Sequence, residues 1–210
     1  MTDPRPDLDA AYGLETPEDN RRLYAAWAGT YDSGFASDMA YVLPLRVAEA
    51  FADAGGRGHV LDLGAGTGLC GEALVRLGAG PVDATDLSPD MLRVAEAKGI
   101  YQRLFEGDLL RRLDVAYGHY AGAVSSGTFT HGHVGPEAMD EVVRILAPGG
   151  LAALSINAGH YDSAGFAAKF DALSVQAITD LRLKDVAIYG AGAEGDHAQD
   201  RALIALFRRA

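Results

Sequence analysis

From residue 58 onward, short apolar runs alternate with amphipathic stretches, a pattern that predicts parallel strands joined by helices. The predicted strands are HVLDL (59–63), PVDATDL (81–87), QRLFEGD (102–108), AGAVSSG (121–127) and GLAALSIN (150–157). Helices are predicted over about 68–78, 89–98 and 136–147. Ser88-Pro89 and Gly135-Pro136-Glu137 each set a cap before a proline whose fixed φ suits the first helical position. Pro148-Gly149-Gly150 cannot continue a helix and turns the chain into the next strand. The C-terminal part reads differently: a helix over about 162–173, then apolar runs at 181–190 and 201–209 joined by the polar loop 191–200. That arrangement predicts an antiparallel strand pair. Before residue 58 the pattern is helical, with Thr16-Pro17-Glu18-Asp19 opening a helix to about Ala28 and a second helix over about 39–54.

Length and composition set limits on this picture. At about 150 residues per domain, 210 residues make one domain, with residues 1–15 a flexible acidic tail that holds Pro4 and Pro6. An apolar share of 49% beside 22% charged residues is that of a globular protein. The formal net charge is −11, and no four Lys/Arg residues are consecutive. DNA, RNA and anionic membranes are therefore expected to be repelled. Cys70 stands alone, so an intrachain disulfide and a cysteine metal cluster are both impossible. The opening MTDPRPDLDA has neither the basic nor the apolar region of a signal peptide, and eighteen consecutive apolar residues occur nowhere. The expectation is a cytoplasmic protein.

The chemistry concentrates in VLDLGAGTGLCGEAL (60–74), an apolar strand that runs through glycines into a helix. Glycines there let a ligand lie against main-chain N–H groups; a tight turn with no ligand is the plainer alternative. Asp86 closes the second strand, where a carboxylate can accept both hydroxyls of a ribose. Asp108 closes the third strand and can meet an adenine amino group, while Met91 can pack on its ring. Two nucleotide classes share these features. Gly66-Thr67-Gly68-Leu69-Cys70-Gly71 satisfies the dinucleotide pattern GxGxxG, but counted from the strand end at Gly64 the third glycine is replaced by Leu69. A pyrophosphate needs that glycine for close helix packing, whereas an adenosyl compound without phosphates does not. S-adenosylmethionine fits better.

With DLGAGTG (62–68), DATDLSPDML (83–92), FEGDLL (105–110) and LAPGG (146–150), the sequence resembles the class I S-adenosylmethionine-dependent methyltransferases over about residues 24–157. YAAWAGTYD (24–32), KGIYQRL (98–104) and SGTFTHGHV (126–134) are similar to the Williams–Beuren-region methyltransferase-like family. The resemblance implies an α/β fold: a Rossmann-like, doubly wound, seven-stranded, mostly parallel sheet with an antiparallel C-terminal strand and helices on both faces. Within one domain spanning 16–210 it implies a helical lid (16–57), a cofactor-binding core (58–157) and a substrate-side helix with a strand pair (158–210). Gly64, Ala65 and Gly66 are then the methionine-side loop, Asp86 the ribose acceptor, and Leu87, Asp108 and Leu109 the adenine contacts. Met91, Ser126 and the lid residues Trp27 and Tyr31 complete the expected cofactor site. One departure stands out: the fourth strand of the family usually opens with an aspartate, and here Ala121 takes its place.

Methyl transfer from a sulfonium is an in-line displacement that needs alignment and dryness more than a fixed catalytic residue. A hydroxyl or amine acceptor must still lose a proton. His131 and His133, in the loop after the fourth strand, are the candidate bases; exposed loop histidines are the plainer alternative. The fourth-strand loop reads SSGTF rather than Asn/Asp-Pro-Pro-aromatic, it carries no Pro-Cys nucleophile, and an Asp/Asp/Asn metal set is not evident. The expected reaction is metal-free methylation of an oxygen or nitrogen on a small molecule. The alternatives are a non-catalytic module that binds the cofactor or its product, a nicotinamide-dependent oxidoreductase and a nucleic-acid methyltransferase.

Overall fold

The computed structural model describes residues 17–36, 40–193, 195 and 197–210; the acidic tail expected at 1–15 lies outside them. Two helices, α1 (Pro17–Trp27) and α2 (Leu43–Asp53), flank a π-helical turn at Asp32–Ala36. Then come β1 (Val60–Leu63), α3 (Leu69–Arg76), β2 (Val82–Asp86), α4 (Pro89–Ala97), β3 (Leu104–Glu106) and β4 (Tyr120–Phe129). A 3-10 turn at Pro136–Ala138 leads into α5 (Met139–Ile145), β5 (Leu146–Asn157), α6 (Ala158–Ala164), α7 (Phe166–Ser174), β6 (Ile178–Ala187) and β7 (Arg201–Arg209).

The strands form one seven-stranded sheet in the order β3-β2-β1-β4-β5-β7-β6. The first five are parallel, and β7 runs antiparallel to both β5 and β6. All four residues of β1 are buried, as expected of a central strand covered on both faces. One covering layer packs Val47, Phe51 and Leu74 against the sheet, and the other packs Met139, Ile145, Phe166 and Phe170. The strand order reverses between β2 and β4, on either side of β1. A crevice therefore opens there, beyond the carboxyl ends of the strands.

Most expected elements form, with local differences. The helix expected over about 136–147 is divided into the 3-10 turn and α5, and extended backbone begins already at Leu146. Pro148-Gly149-Gly150 lies inside β5, at a register shift opposite Tyr120 and Gly122, so it is a kink within the strand rather than a turn before it. The helix expected over about 162–173 begins earlier, at Ala158, and is interrupted at Gly165, whose φ of 87° ends α6 and caps α7. The third strand shortens to Leu104–Glu106, and β6 starts at Ile178, three residues before the expected run.

Candidate active site

The glycine loop leaves β1 with left-handed backbone at Gly64 (φ 64°), Gly66 (φ 55°) and Gly68 (φ 91°), the last being the N-cap of α3. A Cβ on Gly64 would collide with the Thr128 hydroxyl, which donates to the Leu63 carbonyl at 3.1 Å. The end of β4 thus braces the loop from behind. A Cβ on Gly66 would meet nothing within 4 Å, so its backbone borders open space. Gly71, the residue that completes the dinucleotide-like pattern, has another role: a side chain there would collide with the Tyr101 ring. Tyr101 in turn donates to Asp62 Oδ2 at 2.7 Å, beneath the loop. Burial pushes the Asp62 carboxyl up to about 7, with the Tyr101 hydroxyl pulling the other way.

Asp86 stands across from the loop. Its Oδ2 accepts the Gly66 N–H at 2.8 Å, and its Oδ1 accepts the Ser88 N–H at 2.8 Å. A carboxylate offers about four acceptor positions, so both oxygens keep capacity for a pair of ribose hydroxyls. Burial raises the Asp86 carboxyl, and the N–H groups of Ser88, Gly66 and Leu87 pull it back down. Ser88 caps α4 by accepting the Met91 N–H at 3.3 Å, which seats Met91, 1% exposed, behind the crevice. Asp108 Oδ1 accepts the Leu110 N–H at 2.9 Å. The open loop and these two part-satisfied carboxylates suit an adenosyl group.

One cavity of ≈ 200 Å³ is bordered by Trp27, Tyr31, Gly64, Ala65, Gly66, Asp86, Leu87, Met91, Asp108, Leu109 and Ser126. Every residue expected at the cofactor site therefore faces the same space. The two candidate histidines separate. His133 borders the cavity, whereas His131 lies off its wall, with its ring 5.1 Å from that of His160. His133 Nδ1 is 2.8 Å from the His131 carbonyl, which can only accept, so Nδ1 carries the proton. Nε2 is then a lone pair, and the Tyr24 hydroxyl donates to it at 3.0 Å. Burial lowers the His133 pKa from its ordinary value, which keeps the ring neutral near pH 7.

The π-helical turn after α1 is tied to the glycine loop. Asp32 Oδ1 accepts the Thr67 hydroxyl at 2.5 Å, and its Oδ2 lies 2.7 Å from Lys98 Nζ. Sequence reasoning missed this latch, along with Arg21, Tyr41 and Tyr189, all three on the cavity wall. Arg21 alone had a readable signal, since it precedes Tyr24 by three residues on a helix and shares its face. Among the described residues, no group of three His, Cys, Asp or Glu side chains can hold a metal ion.

Residues 60–150 match the methyltransferase-domain family. Human methyltransferase-like protein 27 is 31% identical over 156 residues, which are 72% of this chain and 63% of that protein. The chain thus spans less than two thirds of that relative. The TehB-like S-adenosylmethionine-dependent methyltransferase from Corynebacterium glutamicum superposes with a TM-score of 0.60 at 22% identity, covering 93% of this chain and 100% of that one. The [4+2]-cyclase SpnF gives a TM-score of 0.68 at 15% identity, covering 93% and 96%. At such identities, the structural likenesses speak for the fold alone. The domain match runs from β1 into β5 with the glycine loop at the switch point, so residues 60–150 are similar to a methyltransferase domain and the chain has the Rossmann-like fold of S-adenosylmethionine-dependent methyltransferases.

Proposed function

We propose that the protein transfers a methyl group from S-adenosylmethionine to an oxygen or nitrogen of a small molecule. The observation that carries this reading is that one cavity joins the glycine loop, Asp86 and Asp108 to the Tyr24–His133 pair. Bound S-adenosylmethionine supplies a methyl group made electrophilic by its sulfonium. The chain's own residues hold and orient. The loop backbone at Gly64, Ala65 and Gly66 borders the methionine end, with the Ala65 and Gly66 N–H groups already given to Thr85 and Asp86; Asp86 takes the ribose hydroxyls, and Leu87, Asp108, Leu109 and Met91 enclose the adenine. Trp27, Tyr31 and Ser126 close the wall and exclude water, which strengthens each polar contact inside.

His133 is the proton acceptor in this reading. Its Nε2 is unprotonated and already bound to the Tyr24 hydroxyl. A protic acceptor hydrogen-bonded to Tyr24 gives its proton to the phenol oxygen as the phenol proton passes to Nε2. His131 acts through its carbonyl alone, by fixing the tautomer of His133. A small-molecule acceptor agrees with the net charge of −11, which disfavours nucleic acid.

Calorimetric titration with S-adenosylmethionine, S-adenosylhomocysteine and NADH, followed by a labelled-methyl transfer screen over metabolite pools, tests the reading. Saturable binding of the first two, negligible binding of NADH and a labelled small-molecule product are expected. Tighter binding of NADH overturns the cofactor assignment, and binding without turnover favours a sensing module. That second reading has a specific motive, because a cyclase shares this fold, so the fold by itself does not establish methyl transfer.

A further inference from the structure

Among the described residues Arg21 is the single lysine or arginine on the cavity wall. The two carboxylates there, Asp86 and Asp108, are already engaged: Asp86 by Gly66 and Ser88, and Asp108 by Leu110 and Arg111. Among the described residues Arg21 has no ion pair and no hydrogen bond, and its Nε is withdrawn from solvent without an acceptor. The side chain is half-buried, and among the described residues the Nε is its one nitrogen both withdrawn from solvent and unpaired, which is unfavourable for a charged donor. Arg21 borders the cavity, so a ligand there can supply the missing acceptor.

Arg21 precedes Tyr24 by one helical turn on α1, so both side chains lie on the same helix face. Tyr24 reaches His133, which places Arg21 beside the acceptor half of the cavity. The same cavity wall carries the aromatic side chains of Tyr24, Tyr41, Phe129 and Tyr189. A planar guanidinium fork matches a carboxylate in bidentate fashion, and flat side chains suit a flat ligand. We infer that Arg21 is an anion subsite of the acceptor pocket and that the acceptor carries a carboxylate on a flat apolar body.

The inference rests on the proposed methyltransferase reading and narrows its substrate class. A rival partner for Arg21 is the carboxylate of the cofactor itself. In the proposed function that group lies at the glycine loop, where Asp32 pins the far end of the lid segment to Thr67. The overall charge of −11 offers an anion no long-range attraction, so a single local cation has to carry its recognition.

The test uses protein with 15N-labelled arginine, titrated with benzoate and with benzamide, bare and loaded with S-adenosylhomocysteine. Calorimetry and the Arg21 Nε–H resonance are the readouts. Benzoate is expected to bind saturably, at least tenfold tighter than benzamide, and to move that resonance. In Arg21→Gln the two affinities are expected to converge to within twofold, with S-adenosylhomocysteine binding unchanged. The inference is overturned by equal affinities in the unmutated protein or by no benzoate binding at all. It is equally overturned if the resonance moves with S-adenosylhomocysteine but not with 5′-methylthioadenosine, which lacks the carboxylate, or if Arg21→Gln loses tenfold in S-adenosylhomocysteine affinity. The comparison of benzoate with benzamide needs no variant. Failure of S-adenosylhomocysteine to bind refutes the proposed function separately, while the benzoate arm stays readable on the bare protein.

Discussion

The two halves of the cavity are built by different means. The cofactor half is made of strand ends and main-chain N–H groups: Asp86 is bound by Ser88 two residues away and by Gly66 twenty residues away. The acceptor half is made of side chains from distant segments, and its central hydrogen bond joins Tyr24 to His133 across 109 residues. The first half engages both oxygens of Asp86 but leaves Asp62 Oδ1 and Thr85 Oγ1 buried without partners. The second leaves Arg21 Nε and Thr130 Oγ1 buried without partners. In the proposed function, local backbone chemistry thus holds one ligand, and tertiary packing shapes the space for the other.

If the cofactor half is a self-contained unit, perturbing its polar contacts should produce the largest effects. Asp62 comes first. An ordinary aspartate in the unfolded chain titrates near about 3.9, and burial holds Asp62 up to about 7 in the folded protein. Between those values the folded state binds the extra proton, so stability is full below about pH 4 and falls as pH rises towards about 7. A shift of this size corresponds to roughly 4 kcal/mol at most. Asp62→Asn, whose carbonyl can still accept from Tyr101, should flatten that slope in urea denaturation at several pH values; an unchanged slope would place the proton elsewhere.

Asp86→Ala comes next. It removes the acceptor of two backbone N–H groups and of the proposed ribose, and is expected to weaken S-adenosylhomocysteine by about 1.5–3 kcal/mol, as read by calorimetry. Unchanged affinity would put the ribose at another site. Ser88→Ala deletes the cap of α4 and should lower stability by about 1 kcal/mol in chemical denaturation. The smallest effects are expected across the boundary between the halves. His133→Ala should change S-adenosylhomocysteine affinity by less than about twofold, well under RT ln 10, while slowing methyl transfer. A tenfold loss of affinity would merge the two halves into one.

The same contrast explains what could be read from the sequence. DLGAGTG and Asp86 were legible because turning glycines and a strand-end carboxylate act through contiguous backbone, whose demands are written in residue type and spacing. The antiparallel end of the sheet was legible for a similar reason, with β7 occupying the expected run 201–209. Pro148-Gly149-Gly150 misled because the same residues that stop a helix also serve a strand kink, and the pairing with Tyr120 and Gly122 decides between them. The break at Gly165 was missed because a glycine inside an apolar helical pattern is tolerated until its φ is known. Asp32 was silent because its partners, Thr67 and Lys98, are 35 and 66 residues away.

Tyr24, which reaches His133, and Trp27, which packs with Met91, stand on one helix, so in the proposed function that helix borders both ligands. Exchanging that helix would redraw one face of the pocket and also take the Trp27 ring away from Met91, while the Gly66–Asp86 contact stayed in place. In the proposed function, a change of client at this entrance would have to keep one aromatic ring while its neighbours vary.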